Sequence, residues 1–303
     1  MAIQRTFVST SGSDSNPGTR ESPCRTFQAA VAATTPGGEV VALDSGDYAP
    51  FVIEKAVTVA AAQGAYAAIN VSSGDGVYVH AGASDAVVLR NLFLTGVGGR
   101  HGIFFETGGS LDVEFVTATG FAGRGVRMTA VNAASSLVVR DCVFRANSAG
   151  VVVNGSTGGR IRVEIERTRA DRNTDNGFWF LGGVKGTVRN AAAAANASSG
   201  FFFQPEAVLT VFDSVADGNT NGVTVMNPGT QVQVTLADVV LANNLSIGVM
   251  ASTASLVRIG SSTITGNGVG ISNKDGTVET LQDNLVHGNA TDVVGTLTLI
   301  ATT

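Results

Sequence analysis

Six side chains in the first half of the chain are of the types needed to move a proton beside a negative charge: His80, Arg100, His101, Glu106, Arg124 and Arg127. A histidine can take a proton from carbon. Guanidinium groups can hold a neighbouring carboxylate and stabilise the enolate formed as that proton leaves. In this reading His80 or Arg127 is the base, and Arg100 or Arg124 neutralises the acid group, with Glu106 and His101 completing the cluster. A second set, Tyr78, Phe104, Trp179 and Phe202, offers aromatic faces that pack on sugar C–H surfaces. Asn154 and Gln204 could supply hydrogen bonds to hydroxyls beside them. The plain alternatives are a solvated salt-bridge patch for the first set and a strip covered by a loop or subunit for the second.

These residues can meet only if the chain brings distant segments into register, and a repeat does so. Glycine followed by apolar–x–apolar recurs at Gly76, Gly102, Gly125, Gly150, Gly177, Gly200, Gly222, Gly248 and, less strictly, Gly270, and Asp292 takes the last slot. The steps are 26, 23, 25, 27, 23, 22, 26, 22 and 22 residues, a mean of 24. Each period holds two further short apolar runs separated by a polar slot, which reads Asn91, Glu114, Asp141, Glu166, Asn190, Asp213, Asp238, Ser261 and Asp283. Short polar residues suit a tight bend there. An asparagine column, Asn147, Asn173, Asn196, Asn219, Asn244, Asn267 and Asn289, precedes the glycines.

Three period-two strands per repeat, without an intervening helix, specify a parallel β-solenoid of about ten coils. Leucine-rich repeats lack their consensus here, and a propeller would need a longer period. Alternation after each glycine turns Phe105, Phe178, Phe180, Phe201 and Phe203 inward. It turns Tyr78, Phe104, Arg127, Val152, Trp179, Phe202, Thr224, Met250 and Ser272 outward in one column. A second outward column would place His80 and Glu106 on adjacent rungs, roughly 5 Å apart. Arg100, His101 and Arg124 lie in the turns leading to the same face.

Composition removes other classes. The chain has 303 residues, 14% charged and 44% hydrophobic, which is unlike a disordered protein. It contains 38 glycines and 6 prolines without a collagen triplet. No apolar run reaches the ~18 residues needed to span a bilayer, so membrane insertion is not expected. Cys24 and Cys142 cannot form a disulfide framework, and Cys142 follows a bend as a small buried hydrophobe. Net charge is −5, and no Lys/Arg run points to nucleic acid. No cofactor is expected. Calcium is weakly suggested by Asp141, Asp213, Asp238 and Asp283, but bends explain them, and Asp14-Ser-Asn-Pro-Gly18 lacks the closing glutamate of a calcium loop. His287 reads as a lone turn residue. Thr26 caps a short helix with a Phe27/Ala30/Val31 face that ends before Pro36 and covers the first coil. The C-terminal Leu297-Thr-Leu-Ile reads as a strand with no comparable cap.

The opening Phe7-Val-Ser-Thr-Ser-Gly-Ser-Asp-Ser-Asn-Pro-Gly-Thr19, then Pro23-Cys-Arg-Thr-Phe-Gln-Ala-Ala30 and Gly46-Asp-Tyr48, resembles the first segment of right-handed parallel β-helix proteins of the pectate lyase-like superfamily. Cys24 stands where that family usually has an aromatic residue. The resemblance implies a right-handed parallel β-helix over 51–303, preceded by an opening segment and capping helix over 1–50. It also implies a secreted or cell-surface protein with a polysaccharide partner, whose groove lies over the glycine-led strand. An acidic-glycan lyase acting by β-elimination is the sharper expectation. The alternative is a non-catalytic structural or adhesive β-helix, with a homo-oligomer through its uncapped end. The start at Met1-Ala-Ile-Gln-Arg carries no signal-like apolar stretch. Several family features are missing: the acidic calcium groove, the paired aspartates of β-helix glycoside hydrolases and the Asp-Pro-His-Glu motif of mannuronan epimerases. Arg100-His101-Gly102 only faintly echoes the hydrolases' Gly-His-Gly.

Overall fold

The computed structural model describes residues 3–130, 134–155, 161–226 and 229–300. Its strands form three parallel sheets of 13, 11 and 11 members. Successive strands within a coil belong to different sheets, so each sheet grows by one strand per turn. Eleven stacked strands extend the solenoid roughly 48 Å at about 4.8 Å per step. The third sheet carries the glycine-led strands, running from Phe51–Ile53 through Asp75–His80, His101–Thr107, Arg124–Ala130 and Ala149–Gly155. It continues through Phe178–Leu181 and Ser199–Phe203 to Thr291–Val294. No helix among the described residues is long and apolar enough to cross a membrane.

The opening segment is built into the same sheets. Ile3–Val8 and Thr34–Ala42 are the first two strands of the first sheet, and Gly46–Tyr48 begins the second. Helix Phe27–Ala33 buries Phe27, Ala30 and Val31, and Thr26 Oγ1 accepts the Ala29 N–H at 3.2 Å. The Asp14 carboxylate accepts the backbone N–H groups of Arg25 and Thr26 at 2.9 and 2.8 Å, so it braces the helix start. Phe27 packs at 5.0 Å on both Tyr48 and Phe51, joining cap to core.

Inside the solenoid, like stacks on like. Phe178 lies on Phe201 at 5.2 Å with planes 9° apart, and Phe180 lies on Phe203 at 5.5 Å. The asparagine column forms a ladder: Asn173, Asn196, Asn219 and Asn244 each send a backbone N–H to the Oδ1 of the next rung's asparagine at 2.9–3.1 Å. Their side-chain amides donate to that same Oδ1 and to a strand carbonyl one rung back. A buried backbone turn would otherwise leave these groups unsatisfied.

The glycine column has a spatial cause. A Cβ on Gly102, Gly177 or Gly222 would meet the next rung's glycine carbonyl at 2.6, 2.7 and 2.6 Å. These glycines let neighbouring coils approach; they are not the bends. The bends occupy two other columns. Asn91, Phe115, Asp141, Arg167, Asn190, Asp213, Asp238 and Ser261 have φ between 44° and 56° at the first corner. Phe115 and Arg167, one residue beyond the expected Glu114 and Glu166, are the residues in left-handed conformation. At the second corner Ala146, Arg172, Ala195 and Asn243 have φ of 53–54°.

Candidate functional site

Strand register fixes the outward column of the third sheet. Tyr78 pairs with Phe104, Phe104 with Arg127, Arg127 with Val152, Val152 with Trp179, and Trp179 with Phe202. Thr224, Met250 and Ser272 continue its register, but Thr224 and Ser272, expected to face outward, are buried. Val152 is buried, so the column presents two aromatic pairs with Arg127 between them. Tyr78 stacks on Phe104 at 5.5 Å and Trp179 lies 5.6 Å from Phe202.

The second outward column departs from strict alternation. A bulge after Phe105 sets His80 opposite Thr107 and leaves Glu106 as the extra residue. Released from the ladder, the Glu106 carboxylate turns back across the rung. Its Oε2 accepts the Tyr78 hydroxyl and lies 3.0 Å from His80 Nδ1, which is 3.3 Å from Thr107 Oγ1. The bond from Tyr78, then that from His80, holds Glu106 below the usual carboxylate range, and the bond to Glu106, then burial, pushes the Tyr78 phenol up. Assigning the His80 proton to Nδ1, where the carboxylate can accept it, leaves the Nε2 lone pair free. The His80 side chain is 55% exposed.

Around Phe104 the arginines converge. Arg100 and Arg127 place their guanidinium carbons 5.6 and 5.3 Å from the Phe104 ring centre. Arg100 forms a two-pronged bond to Asp75, at 3.0 and 2.5 Å. His101 is 1% exposed and lies under this layer, edge-on to Phe104 at 5.7 Å. Its Nδ1 accepts the Arg124 backbone N–H at 3.0 Å and its Nε2 is 3.3 Å from Arg127 Nη1. Burial and the surrounding arginines lower His101 to about 4, so it is neutral at physiological pH and acts on the groove only through Arg124 and Arg127. Burial, Arg124 and Arg100 also lower Arg127. Neither Arg124 nor Arg127 pairs with a carboxylate among the described residues, and the buried Arg124 Nε has no hydrogen-bond partner. A cleft of about 540 Å³ opens beside Arg100 and Phe104, toward the first coils, lined also by Gln28, Phe51, Asp75, Tyr78 and Glu106.

The structure thus brings His80, Glu106, Tyr78, Phe104, Arg100 and Arg127 onto one face, with His101 beneath. Asp75 belongs to this group and was not singled out from the sequence. It pairs in register with His101, and its place just before Gly76 was the available signal. Further along, Gln204 accepts the Trp179 indole N–H at 2.9 Å and fixes its ring. Asn154 is exposed between Thr129 and Leu181. Asp141 is engaged by Arg167 at 2.7 Å, and Asp283 accepts from Ser261 at 2.9 Å. Among the described residues no three His, Cys, Asp or Glu side chains converge on one point. Cys142 is buried, its thiol pushed up to about 12, whereas His287 is exposed beside Asp292.

The model of the family described as right handed beta helix region matches residues 75–239, which is 165 of 303 residues. The chain belongs to the right-handed β-helix family. Its fold is pectin lyase-like, an all-β solenoid of about ten turns. By sequence, no curated protein matches this β-helix. Among solved structures it is similar to pectate lyase Pel9A, with 20% identity, 96% of this chain and 80% of that chain covered, and a TM-score of 0.61. It is also similar to XylC, in complex with xylose, at 8% identity, 92% and 75% coverage and a TM-score of 0.67. The A-module of the Azotobacter vinelandii mannuronan C-5 epimerase AlgE4 gives 17% identity, 88% and 91% coverage and a TM-score of 0.55.

Proposed function

We propose that this β-helix binds an acidic polysaccharide along the outward face of its third sheet and cleaves it by β-elimination. One observation carries the reading: Arg127, without a carboxylate partner and with the equally unpaired Arg124 near it, lies over the Phe104 ring on the same face as a histidine held by Glu106. A uronate carboxylate would sit on Arg124 and Arg127, with Arg100 close by but already engaged by Asp75. His80 Nε2 takes the proton from the carbon next to that carboxylate. The electron pair forms a double bond as the neighbouring C–O bond breaks, and the departing oxygen takes a proton from water. The guanidiniums stabilise the charge that builds on the carboxylate in between. Trp179 and Phe202 hold the chain further along. Pectate lyase and mannuronan epimerase among the similar structures support an acidic polysaccharide as the substrate class. Such polymers place the protein's work outside the cytoplasm.

The test is incubation with polygalacturonate, alginate and a neutral glycan, following ultraviolet absorbance of unsaturated uronate. The proposal expects absorbance with an acidic polymer and its loss in His80→Ala and Arg127→Ala. No absorbance with any acidic polymer, or full activity in His80→Ala, would remove the elimination mechanism.

A further inference from the structure

The face of the third sheet extends unequally from Phe104 in its two directions. On one side the register runs on through Arg127, Val152, Trp179 and Phe202, four rungs and roughly 19 Å. Toward the first coil two rungs follow, Tyr78 and then Val52, and the strand of Val52, Phe51–Ile53, is the last of that sheet. An edge strand presents backbone groups that a further rung would pair. Here the capping helix takes that place. Gln28 Oε1 accepts the Val52 N–H at 2.8 Å, and Phe27 packs on Phe51 at 5.0 Å. Pro50, just before the strand, has no N–H to offer another rung.

The same residues bound the cleft of about 540 Å³. Gln28, Pro50, Phe51 and Val52 line it toward the cap, and Tyr78, Arg100, Phe104 and Glu106 line it toward the groove. Its volume is that of a small-ligand pocket. The Val52 N–H needs an acceptor, which fixes the orientation of the Gln28 amide and assigns Nε2 to the other side. That Nε2 makes no hydrogen bond among the described residues, and Gln28 is exposed, so the donor is within reach of a ligand in the cleft.

We infer that this cleft receives the end of a polysaccharide chain, and that Gln28 sets where the chain stops. The inference rests on the elimination reading above and adds that cleavage proceeds from a chain end. From the rung of Tyr78 and His80 to the helix is about two rungs, roughly 10 Å, which is room for one or two sugar rings. Gln28 Nε2 donates to a hydroxyl of the terminal ring. Small oligosaccharides therefore leave from one end of the polymer, while the remainder stays long and is held by Trp179 and Phe202.

Digestion of polygalacturonate and alginate by the full chain tests it. Absorbance of unsaturated uronate is compared with viscosity and with the sizes of the fragments released. The inference expects short fragments from the first turnovers, with viscosity falling slowly against absorbance. Gln28→Glu keeps an acceptor for the Val52 N–H but replaces the donor by a charge that repels an acidic chain end. It should raise KM about tenfold, with kcat and melting temperature little changed. Early fragments of every length with a rapid fall in viscosity would overturn the inference and leave elimination standing, as would an unchanged KM in folded Gln28→Glu. No absorbance with either polymer would overturn elimination and this inference together.

Discussion

At the residue scale, the proposed elimination rests on the Tyr78–Glu106–His80 contact, which depends on a bulge. Had Glu106 stayed in the ladder opposite His80, its carboxylate would point outward beside the imidazole. As the extra residue it turns back to accept from Tyr78 and meet His80 Nδ1. Glu106→Gln keeps the shape and removes the charge that selects the histidine tautomer, so turnover should fall about a hundredfold with little change in melting temperature. His101 has a different role. It is buried and neutral in the folded chain, with a pKa of about 4 against an ordinary 6.5. The unfolded chain therefore binds the proton first on acidification. Stability from this group is complete above about pH 6.5 and is lost as pH falls toward 4, by about 3 kcal/mol in all. Urea unfolding across that range should show the loss, and His101→Gln should flatten it. Alternation after glycine made the Tyr78–Phe104–Arg127 register legible in the sequence, whereas Val152, Thr224 and Ser272, expected outward in the same column, are buried, as is His101. Two features were not legible: the bulge, which no spacing reveals, and Asp75, which opens its strand just before Gly76, outside the apolar–x–apolar triplet that sets the alternation.

At the element scale, each rung is held by a few contacts repeated along the axis. Asn196 is buried, takes the Asn173 N–H on Oδ1 and donates to Ala170 O and to Asn219. Replacement by alanine leaves several of these groups unsatisfied in a buried corner and should cost about 3 kcal/mol, read as a lower melting temperature. Gly177→Ala should destabilise for another reason, since the added methyl would lie 2.7 Å from the Gly200 carbonyl. A well-packed site that must shift to admit a methyl loses about 1–3 kcal/mol. The repeat marked both columns in the sequence, but not their causes. Glycine periodicity alone does not separate a need for positive φ from a need for space. The exposed Phe115 in a left-handed corner shows that the bend column tolerates residues its usual occupants do not suggest.

At the scale of the whole molecule, stacking converts sequence period into a ruler. Phe104 and Trp179 are three rungs apart, roughly 14 Å along the axis. A glycan lying along the third sheet can reach both aromatic pairs only if it is long enough. Affinity should therefore rise steeply with oligosaccharide length at that span, by about tenfold or more, since the second contact becomes intramolecular. Trp179→Ala should abolish the step in a length series while short oligomers bind as before. The solenoid architecture was fully legible, because three strands every 24 residues have few other solutions. The reaction was less so, because the side chains that would distinguish an eliminating groove from an adhesive one are set by local geometry.

The most direct measurement uses the chain's only tryptophan. Trp179 fluorescence is titrated with an acidic oligosaccharide at low and high salt, in wild type and in Arg124→Ala/Arg127→Ala. An acidic glycan on this face predicts a saturable change that weakens in high salt and falls about tenfold or more in affinity in the double variant. A signal unmoved by every acidic oligosaccharide, or one unaffected by removal of both arginines, would contradict it.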